Sequence, residues 1–343
     1  MDFSNASDFN VEAARIAAIG VGGGGNNTIN ALKSIGIKGA TTIAFNTDAK
    51  HLAMIKSDKK ILIGKNLTRG LGAGGFPDVG KNAALESRND IRTALEGVDL
   101  VFVTCGLGGG TGTGAAPVVA RIAREQGAIV IGVVTLPFKL EGARQKKAQE
   151  GLTQLREVAD TVVVIENQRL LEMAGNRPLK QAFNIADTLI ATMIKGISET
   201  ISEPSLVNLD YADVKAIMRA GGVAAIGVGE SESDNMAEEA VAKALNNPLV
   251  DVDISGGTGA LIQIIGGPDM RLDQITKIGE AVSSQLSPDA PCIWGARVVP
   301  EFAHKIQVIT IVTGVKSSSI LGPLAKASSS KAVNELGIEM IHG

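Results

Sequence analysis

Near-continuous apolar runs alternate with helically spaced stretches through the first half of this chain. Arg15–Ile19, Thr41–Phe45, Lys60–Ile63, Asp99–Thr104, Ala128–Thr135 and Thr161–Ile165 predict strands. Asn26–Ile35, Val79–Leu95, Thr113–Glu125 and Glu141–Val158 predict helices between them. Strands that are apolar on both faces and joined by helices predict an α/β fold with a covered parallel sheet. Ligands of such sheets lie at the carboxyl ends of the strands.

Lys180–Ile201 predicts a long central helix, with Phe183, Ile185, Leu189, Ile190, Met193, Ile194 and Ile197 on buried faces. Ser202-Glu203-Pro204-Ser205 ends it. The second half predicts strands at Gly222–Gly229, Ala260–Ile265, Cys292–Val299 and Ile306–Val312. Helices are expected at Asn235–Leu245 and Leu272–Leu286. That pattern describes a smaller α+β domain with its own sheet. Two serine triplets, Ser317–Ser319 and Ser328–Ser330, mark a flexible tail that closes on the short amphipathic peptide Val333–Ile341. The expected organisation is an arm (1–14), a nucleotide-binding domain (15–179), the central helix (180–204), a C-terminal domain (205–314) and the tail (315–343).

Composition narrows the chemistry. The 343 residues leave room for two cores. A net charge of −3 argues against a dedicated nucleic-acid binder, and 3% aromatic content argues against base-stacking platforms. Cys105 and Cys292 fit no paired motif, and His51, His304 and His342 form no ligand cluster, so no protein metal site is expected. No apolar run is long enough to insert directly into a membrane.

Glycine-rich segments follow three predicted strands. Gly20, Gly22 and Gly25 satisfy G-x-G-x-x-G, with Asp48 placed like a ribose-binding acid. Alone, this proposes an NAD-dependent oxidoreductase. Gly108-Gly109-Gly110-Thr111-Gly112-Thr113-Gly114 then supplies a second cradle of backbone N–H groups at a helix start, and Gly70–Gly75 a third. Three such loops suit a nucleoside triphosphate better than a dinucleotide. No P-loop lysine motif occurs.

The heptapeptide Gly108–Gly114, together with Gly20–Asn27, Asn46-Thr47-Asp48, Gly70–Gly75 and Pro137-Phe138 followed by Glu141 and Arg144, resembles the tubulin/FtsZ superfamily of GTPases, and FtsZ much more than tubulin. The resemblance runs from about Arg15 to Gly314. It implies a Rossmann-like domain that binds GTP or GDP. Gly22, Gly23 and Asn26 touch the α- and β-phosphates, Ala73 and Gly74 sense the γ-phosphate, and Gly108, Gly109, Gly110, Thr111, Gly112, Thr113 and Gly114 hold the triphosphate, with Asn46 beside them. Glu141 and Arg144 reach the ribose. Asn167 and Asp187 read the guanine edge, and Phe183 stacks on it. Mg2+ is expected to be held mainly by phosphates and water, with K+ as a candidate second cation.

No general base lies near the glycine loops. Asn208-Leu209-Asp210-Tyr211-Ala212-Asp213 places two carboxylates at a helix start, where ordinary capping would also explain them. The resemblance makes Asn208, Asp210 and Asp213 the hydrolytic element that one subunit inserts into the nucleotide site of the next. It thereby implies head-to-tail filaments, a cytoplasmic location at the mid-cell division site, and a role in cytokinesis. The terminal peptide Leu336–Ile341 resembles the segment of archaeal FtsZ that docks on a SepF-like membrane anchor.

Overall fold

The computed structural model describes residues 14–174, 178–203, 205–207, 209–219, 222–246 and 254–315. The first unit has six parallel strands: β1 (Ile16–Val21), β2 (Ala40–Asn46), β3 (Lys59–Leu62), β4 (Leu100–Gly106), β5 (Ile129–Leu136) and β6 (Thr161–Glu166). Its helices are α1 (Gly22–Ile35), α2 (Ala49–Met54), α3 (Lys65–Thr68), α4 (Pro77–Glu86), α5 (Arg88–Ala94), α6 (Thr111–Glu125), α7 (Ala143–Arg156) and α8 (Asn167–Ala174). The 24-residue α9 (Leu179–Ser202) follows. The second unit contains α10 (Tyr211–Arg219), β7 (Val223–Ser231), α11 (Met236–Leu245), β8 (Gly259–Gly266), α12 (Leu272–Ser283), β9 (Cys292–Val298) and β10 (Ile306–Thr313).

Successive strand residues face opposite sides and feed two apolar layers. Ala17, Ile19 and Val21 join Ala115, Val119 and Leu152 on one face. Ile16, Ala18 and Phe102 join Ile29 and Leu32 of α1 and Ile190, Ile194 and Ile197 of α9 on the other. The same layer reaches Leu261, Ile309 and Ile311, so α9 serves both units.

The strand pattern holds, but three expectations are revised. First, α1 begins at Gly22 rather than Asn26, so the first glycine run is largely the opening turn of a helix. Second, the helix expected over Val79–Leu95 divides at Ser87, whose hydroxyl accepts from Gly64 N–H at 2.9 Å. Third, the second unit does not keep a separate sheet. The order β3-β2-β1-β4-β5-β6-β7-β10-β8-β9 forms one ten-stranded sheet, because β7 lies parallel beside β6 through Val162–Val223 and Val163–Ala224. The pairs β7–β10 and β10–β8 are antiparallel, which gives the second unit its mixed character. Among the described residues no helix is long and apolar enough to cross a membrane.

Candidate active site

A cavity of about 1020 Å³ opens at the carboxyl ends of β4 and β5, between α1, α6 and α9. Its size suits a nucleotide. The first turns of α1 and α6 face it through Gly23, Gly24, Gly110, Thr111 and Gly112, and neither helix has a side-chain cap. Their free N–H groups and positive ends suit phosphate oxygens.

The glycines of this corner do two kinds of work. A Cβ on Gly25 would collide with the Thr104 carbonyl, and one on Gly114 with that of Pro77. These glycines let α1 settle on β4 and α6 on α4. A Cβ on Gly109 would meet nothing within 4 Å, so the backbone there faces open space. Gly22, with φ +72°, abuts Gly112 N and brings the two loops together. Gly108 N–H donates to Thr113 Oγ1 at 2.9 Å, so that hydroxyl shapes the loop. The Thr111 and Thr47 hydroxyls are 2.6 Å apart.

At the other end of the cavity, Phe183 meets Phe138 edge-on with ring centroids 5.5 Å apart. Asp187 on α9 is half-buried and accepts a hydrogen bond from Thr28 Oγ1 on α1 at 2.8 Å. Burial pushes the Asp187 carboxyl up to about 6, against the opposing pull of the Thr28 hydrogen bond. Among the described residues, Asn167 Oδ1 is buried without a hydrogen-bond partner, as is Asn26 Oδ1. Glu141 accepts from Phe138 N–H at 3.0 Å and from Arg144 Nη1 at 2.5 Å.

Gly23, Gly109, Gly110, Thr111 and Gly112 thus share one cavity with Glu141, Arg144, Asn167, Phe183 and Asp187. Other expected contacts sit behind this wall. Asn26 is fully buried, with its amide donating to the Phe45 carbonyl at 3.2 Å. Asn46 is held by His51 and by Asp48 N–H. Ala73 and Gly74 flank Gly110 and Phe76, outside the cavity lining. Asn27, Thr28, Asn30, Thr135 and Asn184 line the cavity and were not anticipated. Helical spacing on α1 could have found Thr28 and Asn27, since they follow the glycine turn.

The acidic pair lies elsewhere. Asp210 and Asp213 bond reciprocally at the start of α10, with Asp213 N–H donating to Asp210 Oδ1 at 2.8 Å and Asp210 N–H to Asp213 Oδ2 at 3.4 Å. Tyr211 Oη donates to the Asp99 carbonyl, which immediately precedes β4. The cavity lies at the far end of that seven-residue strand. The separation is therefore about 20 Å. Asn208 lies outside the described residues.

A family model described as "Tubulin/FtsZ family, GTPase domain" matches residues 15–175, and "FtsZ family, C-terminal domain" matches residues 222–316. The chain is 56% identical over 312 residues to cell division protein FtsZ 2 of Methanocaldococcus jannaschii, covering 90% of this chain and 82% of that relative. It is 54% identical over 308 residues to cell division protein FtsZ 1 of Archaeoglobus fulgidus, covering 90% and 84%. Among solved structures, an empty FtsZ dimer from M. jannaschii has a TM-score of 0.84 at 53% identity, covering 88% of each chain. A GTPγS-bound protofilament of CetZ2 from Haloferax volcanii shares the fold, with TM-score 0.75 at 22% identity over 94% of this chain and 99% of that one. The dinucleotide reading finds no support: Asp48 caps α2 by accepting from His51 N–H at 3.0 Å and does not line the cavity. Sequence, fold and cavity together show that the chain belongs to the tubulin/FtsZ family of GTPases, on its FtsZ branch.

Proposed function

We propose that this chain binds GTP in the cavity, assembles head to tail, and hydrolyses GTP only where one subunit's Asp210 and Asp213 enter the neighbour's cavity. The observation that carries this reading is the position of the two groups at opposite ends of β4. An acid pair about 20 Å from the phosphate cradle cannot act on its own nucleotide. A contact between unlike faces does not close, so it propagates as a filament. Asp210 and Asp213 then orient the attacking water, and Asn208 joins them near the γ-phosphate. Phosphoryl transfer relies chiefly on positioning and electrostatics, which a site completed at an interface supplies.

In the cavity, the first turns of α1 and α6 hold the phosphates, Glu141 and Arg144 meet the ribose, and Asn167, Phe183 and Asp187 hold the base. Gly22, Gly108 and Thr113 shape the cradle; Asn26, Asn46, Ala73 and Gly74 support it from behind. The described residues around the phosphate end are hydroxyls, amides and backbone, with no cluster of three or more His, Cys, Asp or Glu. That donor set fits Mg2+ held through phosphates and water, which neutralises charge on the triphosphate. K+ would occupy a second, weaker position.

The names of the relatives support a role in cytokinesis, with filaments in the cytoplasm at mid-cell. The terminal peptide Leu336–Ile341, outside the described residues, is assigned to a SepF-like anchor. Deleting Ser328–Gly343 should abolish anchor binding; unchanged affinity refutes that assignment.

The central test is the GTPase rate per molecule as a function of protein concentration. It should rise above a threshold that coincides with light scattering, and scattering should decay once GTP is exhausted. A constant rate down to dilute monomer refutes hydrolysis at an interface. Scattering without phosphate release would instead favour a GTP-binding structural filament.

A further inference from the structure

Both ends of the cavity are set by α1. Its first turn supplies backbone N–H groups to the phosphate end, and its buried Thr28 donates to Asp187 across from α9. Thr28 and Asp187 are 159 positions apart in sequence and both line the cavity. A threonine hydroxyl has one proton. In Thr28 the alternative acceptor, the Gly24 carbonyl, is 3.5 Å away, whereas Asp187 Oδ1 is at 2.8 Å. The proton therefore goes to the carboxylate.

We propose that Thr28 is a specificity-determining positioning residue, which locks the Asp187 carboxylate in the plane where both of its oxygens meet the Watson–Crick edge of guanine. This inference rests on the assignment of Asp187 to guanine. One lone pair of Oδ1 is taken by Thr28; Oδ2 and the remaining lone pair of Oδ1 are left for two donors. Guanine presents two adjacent donors, N1–H and the 2-amino group. Hypoxanthine presents only N1–H. A carboxylate free to rotate still accepts one hydrogen bond from either base, but loses the paired geometry that rewards the second donor. Because Thr28 stands on the helix that also holds the phosphates, the carboxylate is placed at a set distance from the cradle.

Affinities of GDP and inosine diphosphate for the full-length chain test this, measured by calorimetry with wild type, Thr28→Val, Thr28→Ser and Asp187→Ala. Thr28→Val keeps the volume and removes the donor. It should weaken GDP binding by roughly tenfold, the usual effect of losing a hydrogen bond to a charged group, and bring the GDP-to-IDP ratio toward one. Thr28→Ser should restore both affinity and ratio. An unchanged ratio in Thr28→Val, or an equal loss of GDP and IDP that serine does not rescue, overturns the proposal. Asp187→Ala separates the two levels. If it leaves the GDP-to-IDP ratio at the wild-type value, the guanine assignment itself fails. If it collapses the ratio while Thr28→Val does not, only the role of Thr28 fails.

Discussion

Tyr211 Oη lies 2.9 Å from the carbonyl oxygen of Asp99 and donates to it. This bond ties the start of α10, in the second unit, to the base of β4 in the first. It fixes Asp210 and Asp213 at the end of the sheet remote from the cavity. The cavity and the acidic pair thus lie at opposite ends of β4 within one chain, the separation on which the proposed interface hydrolysis rests.

Asp213→Ala should therefore spare nucleotide affinity and assembly while reducing turnover by roughly a hundredfold or more, the range for a lost positioned acid–base group. Sedimentation with GTP and phosphate release, measured on the same sample, check the two halves. Asp210→Ala should show the same split with an added loss of about 1 kcal/mol in stability, since Asp210 also caps α10. Loss of GDP binding in Asp213→Ala counts against the split site.

Two glycines of the heptapeptide should fail in opposite ways. Gly114→Ala forces a Cβ against the Pro77 carbonyl, so α6 must shift from α4. It should lower stability by about 1–3 kcal/mol. Gly109→Ala meets nothing within 4 Å among the described residues. It should leave the melting temperature near wild type yet weaken GDP by roughly tenfold or more, because its methyl group enters the phosphate cradle. Thermal melts with and without GDP distinguish the two through ligand linkage.

Nucleotide affinity should carry an acid limb from Asp187. Its carboxyl titrates at about 6 in the fold, raised by burial, against 3.8 unfolded. Between those values the folded state holds an extra proton, so this group's contribution to stability worsens as pH rises, reaching its least favourable level above 6. The proposed contact with guanine requires the ionised form. Affinity for GDP should then fall by roughly tenfold per pH unit below 6. The other charged groups lining the described cavity, Glu141 and Arg144, are paired with each other. Titration of the GDP phosphates is common to wild type and Asp187→Asn, so the ratio of their affinities isolates the carboxyl. A ratio independent of pH between 5 and 7 refutes the assignment.

Glu199 should prove to be a structural clasp between the units. It is buried on α9 and accepts from Lys38 N–H, Lys195 Nζ and Arg297 Nη1. Burial opposes its ionisation, but Lys195 and Arg297 outweigh that and hold its carboxyl below the usual glutamate range. Its stabilisation is complete above pH 4.5 and is lost as pH falls through the lower folded value. Glu199→Gln leaves Arg297 and Lys195 without their counter-charge. It should cost about 3–5 kcal/mol by urea unfolding and remove part of the acid dependence of wild type.

Much of this protein was legible in the linear chain. The strands of the first unit followed from apolar runs, because a parallel strand covered on both faces reads as a continuous apolar segment, but their order in the sheet came only from the fold. The central helix followed from its buried face, and the glycine-lined corner of the cavity from glycines beside strand ends. Boundaries were less legible where tertiary contact chose them: Gly22 opens α1 because the first turn closes against Gly112, and Ser87 breaks a helix because its hydroxyl is claimed by Gly64 N–H.

By itself, the sequence determined the family, the parallel α/β unit and the residue types available for a nucleotide. These are local or periodic properties, set by side-chain size and polarity. Only the tertiary structure decided which of those residues face the cavity and which support it. Asn26 turns inward to donate to the Phe45 carbonyl of β2 and Asn46 is held by His51 and Asp48 N–H, whereas Thr28 turns to Asp187 across a junction 159 positions long. It also merged two expected sheets into one through β6 and β7. And it placed Asp210 and Asp213 at the far end of β4, since Tyr211 finds its acceptor there.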